Sequence, residues 1–238
     1  MVSVEVAPEW NDATPYEKWF DSFLGLAYAT SVNSAIRPWV EAAKPGIVLD
    51  VGCGPGITAG SVTPPGAQLL ELDCNFLMAR RALLRLGAAG RRIASVVGNC
   101  SRIPLRAGSV DLVLCVNCLE FASERSRAFQ ELARVLRPGG TAVVGVMNAE
   151  SPWEITRRLK APFLSEKRTY YKRGRFFRVD ELRSALADAR FDVAEVCLRV
   201  HFPPVSSPIS AFYGACTRAM IRLAPRRGAV ILARAVRR

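Results

Sequence analysis

Residues 48 to 56 read Val48-Leu49-Asp50-Val51-Gly52-Cys53-Gly54-Pro55-Gly56, and this stretch decides the fold. Ile47 to Val51 is a short apolar run that ends in a glycine cluster, the pattern of a buried parallel strand feeding a helix. Glycines at that point let the backbone turn at positive φ and pass close to a ligand, since no Cβ intrudes. A nucleotide-like ligand at the carboxyl end of the strand is the natural inference. A dinucleotide fingerprint would place its third glycine three residues after the second, whereas position 57 is Ile57 and the glycine comes at Gly56. No GKS or GKT ending follows, so pyrophosphate binding is disfavoured. Asp50 points the same way, because a carboxylate suits a cationic ligand better than an anion.

Outward from the loop, Lys44-Pro45-Gly46 is a turn that separates an N-terminal helical segment, residues 1–45, from a core spanning 46–238. In the core, strands are expected at Gln68 to Leu72, Arg92 to Val97, Val110 to Val116 and Thr141 to Met147. Helices are expected at Phe76 to Leu86 and at Ser123 to Leu136, the latter with Arg137 in its last turn and Pro138-Gly139-Gly140 as its stop signal. Residues 150–178 break the rhythm with prolines, paired tyrosines and basic residues, and read as an insertion over the sheet. A helix from Val179 to Ala189, a strand from Phe191 to Val200 and a last strand from Ala229 to Ala235 complete the pattern. The alternation predicts an α/β, doubly wound, Rossmann-like sheet with helices on both faces.

Two further positions describe the ligand. Asp73 ends the second strand about twenty residues after the loop, where a carboxylate accepts from a ribose diol, and it is preferred over Glu71. Gly98-Asn99-Cys100 follows the third strand and suits an adenine edge, with the Asn99 side-chain amide and the Cys100 backbone N–H as readers. A nucleoside carrying positive charge fits this set, and S-adenosylmethionine meets that description.

The chain resembles the class I S-adenosylmethionine-dependent methyltransferases, in the branch that includes ubiquinone and menaquinone C-methyltransferases (methyltransferase type 11). The resemblance runs from about Tyr16 to Ala235. It is carried by the loop above, by Leu72-Asp73-Cys74-Asn75, by Gly98-Asn99-Cys100 with Ile103-Pro104-Leu105, by Val110-Asp111-Leu112-Val113, and by Glu131-Leu132-Ala133-Arg134-Val135-Leu136-Arg137-Pro138-Gly139-Gly140. It implies a seven-stranded sheet whose last strand is antiparallel to its neighbours. It places the methionine part of the cofactor along Gly52, Cys53, Gly54 and Gly56, the ribose on Asp73, the adenine against Cys74, and Asn117 at the cofactor's border. The family has aspartate where this chain has Asn99; an amide is expected to accept from the adenine amino group in its stead.

Methyl transfer from a sulfonium is an in-line displacement whose leaving group departs neutral, so positioning and water exclusion suffice and no catalytic residue is assigned. Tyr16, Trp19 and Phe20 resemble the family's N-terminal lid, Tyr16 covering the cofactor, with an amphipathic packing helix as the alternative. Glu120, Trp153, Tyr170, Tyr171 and His201 are candidates for the acceptor pocket, the tyrosines within the acceptor-side insertion.

The chain of 238 residues carries a formal net charge of +12, which keeps nucleic acid as an alternative acceptor. No Asn/Asp-Pro-Pro-Tyr/Phe motif of amino-methylating nucleic-acid enzymes occurs, so a small organic acceptor, anionic or membrane-associated in view of the basic insertion, is preferred. A noncatalytic nucleoside-binding module is the third reading. Seven scattered cysteines and no apolar run of signal-peptide length point to the cytoplasm rather than a disulfide framework. Cys115 and Cys118 lie on a strand pattern without a second ligand pair, so no metal is expected. No stretch has the ~20 apolar residues of a membrane span.

Overall fold

The computed structural model describes residues 14–163, 174–202, 204 and 210–238. In chain order the elements are α1 (Thr14–Asp21), α2 (Phe23–Ala43), β1 (Ile47–Val51), α3 (Ile57–Val62), β2 (Gln68–Asp73), α4 (Phe76–Ala88), β3 (Ile93–Val97), β4 (Val110–Val116), α5 (Arg125–Val135), β5 (Leu136–Met147), α6 (Pro152–Lys160), α7 (Val179–Asp188), β6 (Phe191–Arg199), α8 (Ser210–Leu223) and β7 (Val230–Arg237). The strands form one sheet in the order β3-β2-β1-β4-β5-β7-β6. β7 runs antiparallel to both β5 and β6, and the other neighbours are parallel. The expected doubly wound sheet with an antiparallel last strand is therefore observed.

The strand sequences are apolar almost throughout because both faces of the sheet are covered. Leu49, Val51, Val113, Cys115, Val144 and Ala233 face a core closed by α5 and α7. Their sequence neighbours Val48, Leu112, Leu114, Val143 and Leu232 face a second core closed by α2, α3 and Leu86 of α4. α2 covers its face with Leu24, Tyr28, Val32, Ile36 and Val40, one every fourth residue, and starts at Ser22, whose hydroxyl accepts from the Gly25 N–H at 3.2 Å. Among the described residues, no helix is long and apolar enough to cross a membrane.

The order of the sheet puts the loop after β1 at the switch point. From β1 the chain moves outward to β2 and β3, then returns to the other side of β1 with β4. The crevice between these two excursions opens at the carboxyl ends of β1 and β4, where α/β folds bind ligands.

One boundary differs from expectation. α5 ends at Val135 and passes directly into β5, whose pairing jumps from Val110↔Leu136 to Leu112↔Thr141. Arg137 thus belongs to the strand and ion-pairs with Asp111 at 2.7 Å, rather than closing the helix. Pro138-Gly139-Gly140 bulges within the ladder: Gly139 has φ +73°, and a Cβ on Gly140 would sit 2.8 Å from the Arg137 carbonyl oxygen. The insertion begins with α6, and its return is pinned by the Phe177 N–H donating to the Met147 carbonyl at 2.9 Å.

Asp111 has a mechanical role at the base of the sheet. Its Oδ2 accepts from the Gly46 N–H at 2.9 Å and the Ile47 N–H at 2.8 Å, tying the entry of β1 to β4. Asp111→Ala leaves those donors without a partner and is expected to lower unfolding free energy by about 1–3 kcal/mol. A urea midpoint unchanged from the wild type would remove Asp111 from this role.

Candidate functional site

The glycine loop is hung from the end of β2. The N–H groups of Gly52 and Cys53 both donate to the Leu72 carbonyl, at 2.7 and 3.1 Å, and the Gly54 N–H donates to Asp73 Oδ2 at 2.9 Å. All three loop glycines have positive φ, at +71°, +52° and +75°. Their surroundings differ. A Cβ on Gly52 would lie 2.5 Å from Cys118 Sγ, and one on Gly56 would lie 3.2 Å from Ala82 Cα on α4. These two glycines admit neighbouring protein, whereas a Cβ on Gly54 would meet only Tyr16, at 3.7 Å. Gly54 is the glycine that borders open space.

A narrow cavity lies over the end of β1, lined by Tyr16, Phe20, Tyr28, Asp50, Gly52, Cys53 and Asn117 among others. Asp50 is buried, and its Oδ2 has no partner among the described residues. Burial, reinforced by the nearby Asp73 charge, pushes its pKa up to about 7. Asn117 ends β4 in the left-handed region with φ +56°, a conformation that asparagine tolerates. Its Nδ2 donates to the Tyr28 hydroxyl at 2.6 Å, and its Oδ1 is buried without a partner. Two unpaired acceptors thus belong to side chains that line one cavity, an arrangement that costs free energy until a donor or cation enters.

The aromatic side chains of α1 and α2 close this cavity. Tyr16 and Phe20 meet edge-on with centroids 5.1 Å apart, Trp19 packs on Phe20 at 4.9 Å and on Tyr28 at 5.5 Å. α1 has no fully buried residue, and charge adds to the packing of Trp19 and Phe20 on the core: Glu17 accepts from Arg85 at 2.7 Å, while Arg85 Nε donates to the Pro55 carbonyl at 3.0 Å. Arg85 therefore joins the aromatic helix to the glycine loop. Neither Tyr28 nor Arg85 stands out in the sequence, since each reads as an ordinary residue of an amphipathic helix.

Along the carboxyl edge from β1 to β3 come Asp73 and then Asn99. Asp73 is buried; its Oδ1 accepts from the Asn75 N–H at 2.8 Å, and the Cys74 N–H and thiol add to the bonds that hold the carboxylate. Burial raises its pKa against the pull of those hydrogen bonds. Glu71 lies deeper, with both carboxylate oxygens unpartnered among the described residues, and burial beside Asp50 drives its pKa well above the carboxylate range. Neither Glu71 nor Asp73 lines the cavity over β1. Cys74 is exposed beside Asp73, and Cys53 and Cys100 are buried. Cys100 contacts Cys118, and that contact with burial raises its pKa, keeping it a thiol. No group of three metal-ligating side chains occurs among the described residues.

Asn99 is half-buried, and its Oδ1 accepts from both the backbone N–H and the hydroxyl of Ser101, each at 2.9 Å. The following loop is clamped from α5. The Ile103 N–H donates to Glu131 Oε2 at 2.7 Å, and Arg134 donates to the carbonyls of Leu105 and Ile103, both at 2.8 Å. Arg134 also pairs with Glu131 at 2.6 Å, which holds the Glu131 pKa below its usual value. The Glu131 and Arg134 of the sequence motif thus support the loop that presents Asn99.

The acceptor-side candidates are not brought into one cluster. Glu120 is buried, accepts from the Met147 N–H through Oε1, and has its pKa pushed up to about 7 by burial. Trp153 lies 6.0 Å from Tyr28 between ring centroids and donates to the Phe202 carbonyl at 2.8 Å, at the margin of the aromatic group. His201 follows β6 beyond the far side of the sheet, with Nε2 2.9 Å from the Pro225 carbonyl oxygen, and does not line the cavity. Tyr170 and Tyr171 lie outside the described residues.

Residues 49–144 match the family described as a methyltransferase domain. An uncharacterised protein of Mycobacterium tuberculosis is 29% identical over 194 residues, covering 81% of this chain and 63% of that protein. A malonyl-[acyl-carrier protein] O-methyltransferase of Geobacter sulfurreducens is 33% identical over 161 residues, 66% of this chain and 60% of the relative. The chain thus spans less than two thirds of the length of these relatives. A solved S-adenosylmethionine-dependent methyltransferase of Thermotoga maritima shares the fold with a TM-score of 0.73 at 21% identity, covering 97% of this chain and 98% of that one. Residues 49–144 thus carry a methyltransferase domain, and the glycine loop, the acidic end of β2 and the seven-stranded order give the whole chain the fold of the solved S-adenosylmethionine-dependent methyltransferase.

Proposed function

We propose that the chain transfers a methyl group from S-adenosylmethionine to a small organic acceptor. The observation that carries this reading is the pair of buried, unpartnered acceptors, Asp50 Oδ2 and Asn117 Oδ1, on side chains lining the cavity beside Gly54. They suit the ammonium and sulfonium charges of the cofactor, and the open approach at Gly54 suits its backbone contact. Asp73, at the end of β2 beside the glycine loop, is the carboxylate placed to accept from the ribose hydroxyls.

Bound there, the cofactor supplies an electrophilic methyl group on a positively charged sulfur. The protein's part is to hold and to dry. Asp50, Asn117 and Asp73 orient the nucleoside and amino acid, while Tyr16, Phe20 and Tyr28 form a lid, within residues 1–45, that excludes water. No proton need be moved unless the acceptor carries one. The acceptor enters on the side of the 150–178 insertion. Glu154 there takes up Arg157 and Arg158 in ion pairs at 2.5 and 2.7 Å, leaving Lys160 and the exposed Arg175 and Arg178 as the described cations that favour an anionic acceptor.

Asp73→Ala should weaken binding of S-adenosylhomocysteine by about 1–3 kcal/mol in calorimetry of folded protein. Equal affinity would take Asp73 out of the site. The raised Asp50 pKa sets a direction for pH. Below about pH 7 Asp50 of the free protein carries a proton that a cationic ligand must displace, so S-adenosylmethionine affinity should rise roughly tenfold per unit from pH 5.5 to 7 and level off above it. In Asp50→Asn the slope should vanish; a slope that persists assigns the proton elsewhere. Tyr16→Ala should lower kcat by at least about tenfold with little change in cofactor Kd, because an opened lid admits water and relaxes the reacting geometry. Wild-type turnover on a confirmed acceptor would sink the lid.

A further inference from the structure

Asn99 stands where the resemblance led us to expect an acceptor for the adenine amino group, and the hydrogen bonds around it point the other way. A backbone N–H can only donate, so the side-chain atom facing the Ser101 N–H is the amide oxygen. The Ser101 hydroxyl meets the same oxygen, and with two donors at 2.9 Å both lone pairs of Oδ1 are engaged. What remains is Nδ2, a donor without a hydrogen-bond partner among the described residues, on a half-buried side chain. The amide cannot readily turn over. Reversal would set Nδ2 against the Ser101 N–H, donor to donor, and the loop behind it is clamped at Ile103 and Leu105 by Glu131 and Arg134.

Position makes this donor relevant to the base. β1, β2 and β3 are consecutive neighbours, about 4.8 Å apart, so Asn99 lies one strand beyond Asp73 in the direction leading away from the glycine loop. On the reading that the nucleoside runs along this edge with its ribose at Asp73, the base reaches Asn99. We infer that Asn99 donates to a ring nitrogen of the purine and does not recognise the 6-amino group, so that this site, unlike one with a carboxylate at the same position, does not select a 6-amino purine. An amino group set against Nδ2 would be donor against donor, whereas a ring nitrogen is an acceptor.

The test compares S-adenosylhomocysteine with its 6-deamino analogue, which carries unsubstituted purine and keeps every ring nitrogen. Both are titrated by calorimetry into the wild-type chain and into Asn99→Asp, an isosteric change that keeps an acceptor for Ser101. In the wild type the two ligands should bind within about threefold of each other. In Asn99→Asp the second carboxylate oxygen can accept from the amino group, and the preference for S-adenosylhomocysteine should grow by about tenfold or more, as for a hydrogen bond to a charged group. A preference that shifts by less than about threefold between the two proteins overturns the inference. Binding of neither ligand to the wild type would instead overturn the cofactor reading, and the inference with it.

Discussion

The site depends on the hanging of one backbone loop from the end of one strand. Leu72 gives its carbonyl to two consecutive loop N–H groups and Asp73 gives a carboxylate oxygen to a third, so β2 holds the turn after β1 together with the turn's own Gly56 N–H to Cys53 carbonyl bond. The positive φ values at Gly52, Gly54 and Gly56 follow from this attachment, and so does the need for residues without a Cβ. With the turn fixed, the Asp50 carboxylate, Asn117 and the Tyr28 hydroxyl come to border one cavity from three different elements.

That arrangement concentrates acidic groups where water is scarce. Asp50, Glu71 and Asp73 are each buried and each raise the pKa of a neighbour, so the cluster holds its protons more tightly than an exposed one. The strain is relieved unevenly: Asp73 is held by backbone donors, Glu71 has both oxygens unpartnered among the described residues, and Asp50 is left with an oxygen that a cation can claim. Like charges held together in low dielectric favour whatever brings positive charge to them. A sulfonium nucleoside does so without competing for the structural hydrogen bonds.

Two supports outside the cavity keep its walls in register. Arg85 on α4 reaches both Glu17 on the aromatic helix and the Pro55 carbonyl in the loop, coupling the lid to the floor. Glu131 and Arg134 on α5 grip the segment after Asn99 at three backbone groups. The ion pairs themselves are partly exposed and contribute little alone. Their value lies in bonds to backbone carbonyls and N–H groups that would otherwise lack partners.

Unlike α6 and α8, the strand order, the core helices up to α5 and α7, the glycine turn, the acidic end of β2 and the asparagine after β3 are legible in the linear chain. Each rests on local periodicity or on a backbone conformation that few residues adopt. Asp50 as the carboxylate of the loop and Asp73 as the one preferred over Glu71 follow from position alone, because strand ends come at predictable distances from glycine turns. The tertiary structure decided the rest, since it turns on which side chains from distant segments meet. Gly52 is required by Cys118, sixty-six positions on, and Gly56 by Ala82 and Leu86, contacts that no local pattern announces. Pro138-Gly139-Gly140 reads as a helix stop but serves as a bulge, because β4 was waiting to pair with Leu136. The facing of the Asn99 amide, too, was set by Ser101 in space: residue type allows an amide to accept or donate, and only its neighbours choose which.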